Sequence, residues 1–183
     1  MHTCLFVIDA QESFRQRTDW NAALAAQYLT HQNALVDGAK AQGMQIVRIV
    51  HSQGANEVAN PFSEASGGLQ PLAGLVQFRA AATFVKSRHS ALVGTDLQVW
   101  LTENHMRKII VSGIRTEQCC ETTTRHASDL GWEVDFVVDA TLTFDMIQPD
   151  GTTLRAADIK SRTATVLHQR FARVCTVQQA LAA

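Results

Sequence analysis

A chain of 183 residues, 46% hydrophobic and 18% charged with a formal net charge of −1, is long enough to bury one sizeable core. It has no basic block, which argues against nucleic acid and anionic membrane as partners. No apolar run approaches the roughly 20 residues that a bilayer crossing needs. Met1-His2-Thr3 lacks the charged region of a signal peptide. The cysteines Cys4, Cys119, Cys120 and Cys175 follow neither a zinc-ligand nor a Cys-x-x-Cys redox spacing. A single domain over 1–183 in a reducing, cytoplasmic setting is therefore the expectation.

Cys4-Leu5-Phe6-Val7-Ile8 is a continuous apolar run ending at Asp9, the pattern of a strand covered on both faces in a parallel sheet. Asp19 is placed to cap a helix from Trp20 towards Ala41, with Leu24, Tyr28, Leu35 and Ala39 on one stripe and Gly43 as its stop. Residues 46–50 form a second strand. Residues 51–80 show no periodicity and are interrupted by glycine and proline. A structureless stretch of that length inside a compact domain is usually functional, and here it is expected to wall a pocket.

Thr83-Phe84-Val85 is a third strand ending at Lys86, and a capping Thr95 opens a helix carrying Leu97, Trp100 and Leu101. Residues 108–112 are a fourth strand. After Gly113 a polar helix runs towards Leu130, which puts Cys119 in its first turn. A fifth strand over 134–138 ends at Asp139, and Gln148-Pro149-Asp150-Gly151 is a turn. A helix from about 152 to 168 turns Leu154, Ile159, Val166 and Leu167 inward, and a sixth strand over 173–176 precedes a short closing helix.

Six strands alternating with helices imply a three-layer α/β/α, Rossmann-like fold: a six-stranded parallel sheet with right-handed crossovers. Ligands of such sheets bind beyond the carboxyl ends of the strands. Asp9, Lys86 and Cys119 each stand at or just past such an end. A helix N-terminus favours thiolate over thiol, which suits a sulfur nucleophile. Buried-thiol packing is the plainer role for Cys4, Cys175 and Cys120.

Three stretches resemble the isochorismatase-like cysteine hydrolases, a group that includes nicotinamidases and N-carbamoylsarcosine amidase. They are Leu5-Phe6-Val7-Ile8-Asp9-Ala10-Gln11-Glu12-Ser13-Phe14, then Val85-Lys86-Ser87-Arg88-His89-Ser90-Ala91-Leu92, then Gly113-Ile114-Arg115-Thr116-Glu117-Gln118-Cys119. They occur in the family's order, and the likeness covers nearly the whole chain. The resemblance implies a triad of Asp9, Lys86 and Cys119 and a cis peptide bond between Ile114 and Arg115. It also implies an oxyanion hole formed by the backbone N–H groups of Arg115 and Cys119. The zinc-containing nicotinamidase branch carries an Asp-x-His group after its second strand and a further histidine. This chain has His51-Ser52-Gln53 there and no histidine until His89, so no metal and no other cofactor are expected.

Candidate substrate-binding residues are Phe14, Trp20, His51, Phe62, Arg88 and Arg115, with Glu117 beside them. Phe14 and Trp20 also suit a core, His51 suits either substrate contact or a structural role, and Arg115 suits a substrate carboxylate or a neighbouring subunit. The resulting expectation is hydrolysis of a C–N bond in a small amide or ureido compound through a thioester, by a homo-oligomer. Vinyl-ether hydrolysis, as in isochorismatase proper, and a non-catalytic binding protein with a vestigial triad are the alternatives. A flavodoxin-like FMN carrier is a remote third.

Overall fold

The computed structural model describes residues 2–54 and 57–182. Six strands form one parallel sheet: β1 (Thr3–Ile8), β2 (Gln45–His51), β3 (Ala82–Lys86), β4 (Lys108–Ile114), β5 (Glu133–Leu142) and, after a small hairpin, β8 (Arg173–Cys175). Their order is β3-β2-β1-β4-β5-β8. The hairpin is β6 (Met146–Ile147) paired antiparallel with β7 (Thr153–Leu154). The helices are α1 (Ala22–Ala41), α2 (Leu97–Glu103), α3 (Glu121–Asp129), α4 (Ala156–Leu167) and α5 (Val177–Leu181).

Side chains alternate across a strand, so a run such as β1 must find apolar partners on both faces. Cys4, Phe6 and Ile8 pack with Leu97 and Leu101 of α2, Ala127 of α3 and Leu167 of α4. Leu5 and Val7 pack on the opposite face with Leu35, Val36 and Ala39 of α1 and Ala180 of α5. The product is a three-layer α/β/α sandwich. All four cysteines are buried and unbridged.

Four local expectations give way to the structure. Asn21, not Asp19, caps α1, and its side chain accepts from the Ala23 and Leu24 amides. Asp19 is instead held by two arginines. The fifth strand continues past Asp139 to Leu142, because a register shift against β4 between Val111 and Gly113 lets pairing resume at Thr141. The stretch around residues 148–151 closes the β6–β7 hairpin, which delays α4 to Ala156 and leaves Leu154 in β7. Ala156 and Thr163, with Ile159 and Leu167, are the residues α4 buries. Two-residue strands carry too short an alternation to register as a pattern.

The sheet order reverses between β1 and β4, and this switch point lies between the carboxyl ends that carry Asp9 and lead to Cys119. Close strand contact there depends on Gly113, paired with Ile8 at φ 129°. A Cβ at that position would be driven into the Ile8 carbonyl, and the backbone conformation is itself one that L side chains rarely adopt. Gly113→Ala is therefore expected to cost about 3 kcal/mol or more, measured as a lowered denaturation midpoint in urea.

Candidate active site

Three strand ends converge on one spot. Asp9 follows β1 in a left-handed backbone conformation, φ 51°, and its amide is anchored to the Ile49 carbonyl at 2.8 Å. Lys86 is the last residue of β3. Cys119 lies in a π-helical turn, Thr116–Cys120, that joins β4 to α3. The Lys86 ammonium stands 2.7 Å from Asp9 Oδ2, and neither side chain has measurable exposure to solvent. The same ammonium donates to Cys119 Sγ at 3.3 Å and to the Arg88 carbonyl at 3.1 Å, and its Nζ is 3.4 Å from His51 Nδ1. Neither Asp9 oxygen has an aligned hydrogen-bond donor among the described residues, and the Cys119 thiol lies near enough to the carboxyl for each to shift the other. The peptide bond between Ile114 and Arg115 is cis.

The electrostatics differ from a simple helix-terminus picture. Burial, then the negative Asp9, push the Cys119 thiol up to about 12, against the pull of Lys86, so the sulfur rests protonated. Burial also raises the Asp9 carboxyl in spite of Lys86, which makes it a stronger base than an ordinary aspartate. Lys86 stays charged: burial opposes its ammonium, but Asp9 and Cys119 outweigh that and raise it. The site thus sets a thiol beside a basic carboxylate, and desolvation around the sulfur outweighs the pull of a helix terminus, which sequence position alone does not show.

A cavity of about 130 Å³ opens on the sulfur, lined by Asp9, Phe14, Arg17, His51, Gln53, Phe62, His89, Arg115, Gln118 and Cys119. Phe14 and Phe62 meet edge to face at 5.1 Å between ring centres, with His51 5.7 Å from Phe62. Residues 51–80 do supply part of this wall through His51, Gln53 and Phe62, although residues 55 and 56 lie outside the described residues. That loop is tied back to the short 3-10 turn after β1, where Ser13 donates from both its amide and its hydroxyl to the Gly68 carbonyl.

Two candidates stand elsewhere. The Trp20 ring packs on Phe144, 5.6 Å between centres, outside the cavity lining. The Arg88 side chain is turned to the Ser87 carbonyl, and only its backbone oxygen reaches the site. Arg115 lines the cavity but is already paired inside the chain, 3.1 Å from Asp19 and 3.2 Å from Glu117.

Gln11, Arg17, Gln53, His89 and Gln118 went unassigned in the sequence. Gln11 is the informative omission: its amide accepts from the His51 N–H at 2.9 Å and donates to the His51 carbonyl at 3.0 Å. It thereby extends the β1–β2 ladder by one side-chain rung and fixes His51 over the site. Its place two residues after Asp9 in the first motif was the available signal.

Among the described residues, no three His, Cys, Asp or Glu side chains are grouped to hold a metal ion. Nor is any helix there long and apolar enough to cross a membrane.

The isochorismatase domain model matches residues 3–179. The chain belongs to the isochorismatase family. Within that family it is 33% identical over 94 residues to the uncharacterized protein YrdC of Bacillus subtilis, covering 51% of this chain and 50% of that one. It is 39% identical over 72 residues to Nicotinamidase 3 of Arabidopsis thaliana, covering 39% of this chain and 36% of that one. These matches span half the length of the first relative and about a third of the second. A cysteine hydrolase from Pseudomonas syringae shares the fold, with a TM-score of 0.89 at 21% identity over 99% of this chain and 91% of that one. Isochorismatase-family membership supports a hydrolase.

Proposed function

We propose that the protein is a cysteine hydrolase that cleaves a C–N bond of a small amide or ureido compound. One observation carries this reading: a single ammonium lies 2.7 Å from a carboxylate and 3.3 Å from a thiol at the floor of an open cavity.

Cys119 attacks the substrate carbonyl as its proton passes to Asp9. A thiol resting near 12 makes free ionisation unfavourable, so proton transfer and attack belong to one step. The tetrahedral oxyanion is held by the backbone N–H groups of Arg115 and Cys119, where loss of one donor typically costs about 2.7–4 kcal/mol in the barrier. Asp9 returns the proton to the departing nitrogen, the C–N bond breaks, and a thioester remains. Water, deprotonated by Asp9, then releases the acid and the thiol. Throughout, Lys86 keeps the carboxylate oriented. No step draws on a metal or an organic cofactor, and a homo-oligomer in the cytoplasm completes the proposal.

A panel of small amides and carbamoyl compounds assayed for ammonia release tests it, and silence across the panel would count against C–N chemistry. The pH profile should carry an acid limb. Because burial raises Asp9, kcat/KM is expected to fall as pH drops through a value above the ordinary aspartate pKa of about 3.9. A limb at or below that value would remove Asp9 as the base.

A further inference from the structure

The charges around the cavity cancel within the chain. Lys86 is matched by Asp9. Arg17 and Arg115 converge on Asp19: Arg17 Nε donates to Oδ1 at 2.9 Å, and Arg115 Nη1 donates to Oδ2 at 3.1 Å. On the other side of Arg115, Glu117 Oε1 stands 3.2 Å from Nε, and the guanidinium carbon lies 5.3 Å from the centre of the Phe144 ring. The Arg115 side chain is only 6% exposed, so these partners hold it in place.

Resting on the reading of this site as an amide hydrolase, we infer that it takes an uncharged small substrate, because the Asp19 carboxylate already fills the seat at Arg115 that a substrate carboxylate would need. Asp19 remains ionised there. Partial burial works against it, but the bonds from Arg17 and then the Arg115 charge hold its carboxyl below the usual range.

The remaining walls suit a neutral, flat carboxamide or ureide. Phe14 and Phe62 offer ring faces and edges, and Gln53 and Gln118 offer uncharged donors and acceptors. The His51 ring is neutral near pH 7, since burial and then Lys86 push its pKa down to about 4. A volume of about 130 Å³ is well below that of drug-sized sites, roughly 300–1,000 Å³, and suits a small amide. An anionic substrate would meet the Asp9 carboxylate at the cavity wall, beside arginines whose charge Asp19 and Glu117 already balance, and such like-charge juxtaposition is a strong discriminator in a partly desolvated cleft.

Two alkylating agents of nearly the same shape read this preference directly: iodoacetamide, which is neutral, and iodoacetate, which is an anion. Rates at Cys119 are followed by tandem mass spectrometry, which separates it from Cys120, and are divided by the rates with free cysteine. The wild-type protein is expected to prefer iodoacetamide by about tenfold or more on that scale. Asp19→Asn should narrow the preference by about tenfold, because Arg115 then has a vacancy for an anion. The Asp19→Asn/Arg115→Gln double variant removes one charge of each sign and should restore the wild-type preference.

A wild-type ratio equal to that of free cysteine, or an Asp19→Asn ratio that does not move, overturns the inference while leaving the nucleophile intact. Failure of Cys119 to react with either reagent overturns the nucleophile, and the inference falls with it. The wild-type and Asp19→Asn rates decide the matter even if the double variant does not fold.

Discussion

Cys119→Ala is expected to lower turnover of any substrate the amide panel identifies by about 10⁴-fold or more, with the fold intact. The variant removes one sulfur from the edge of a solvent-facing cavity, so no closed void is created and little stability is at stake. All of the covalent chemistry, by contrast, passes through that atom. Asp9→Asn should cost about as much, because a thiol resting near 12 gives up its proton in the proposed step to the Asp9 carboxylate it adjoins. Groups that act as a unit are grossly non-additive, so the double variant should be hardly slower than either single one. Rates come from ammonia release, and a trapped acyl adduct on the Cys119 peptide of the wild-type protein supplies the second readout. Full turnover in Cys119→Ala would sink the thioester route. It would leave C–N cleavage by direct attack of water, with Asp9 as the base and no covalent intermediate.

The main frame of this site was legible because Asp9 and Lys86 stand at the ends of apolar strand runs and Cys119 in the turn that follows another. Cys4-Leu5-Phe6-Val7-Ile8, Thr83-Phe84-Val85 and the run from Lys108 each point to a parallel strand, and parallel strands bring their carboxyl ends to one edge. The residue types at those ends suggested a reactive site, and the family resemblance implied the triad. Burial depth was not legible: whether Cys119 rests as thiol or thiolate depends on how completely Asp9 and Lys86 are closed off, which no local pattern encodes. Nor was the fate of Arg115. Its partners Asp19 and Glu117 lie 96 and 2 positions away, and only the first is a contact that the fold must create. Trp20 suited a wall or a core for a similar reason, and in the fold its ring packs on Phe144 in the cluster that also holds Phe14 and Phe62.

Lys86→Ala is expected to destabilise the protein as well as silence it. In the native fold the lysine has 1% exposure and the aspartate none, and their ion pair is the reason both charges are tolerated. Deleting the ammonium leaves Asp9 buried opposite nothing, and breaking such a pair from one side typically costs about 3–5 kcal/mol. At about 2–4 °C per kcal/mol for a chain of this size, Tm should fall by roughly 6–20 °C. The Asp9→Ala/Lys86→Ala variant, which abandons neither charge in the core, should be more stable than Lys86→Ala alone.

The pH dependence has a definite sign. Burial raises the Asp9 carboxyl, and loss of Lys86 removes the main influence that lowers it, so in the variant the folded state holds a proton the unfolded state has already released. Stability then falls as pH rises from the unfolded value of about 3.9 to the raised folded one, and stays low above it. The gap between wild type and Lys86→Ala should therefore be widest at neutral pH and close below the unfolded value of about 3.9, where both states carry a protonated Asp9. A gap that is constant across that range would mean that lost packing of the lysine stem, and not an orphaned carboxylate, accounts for the damage.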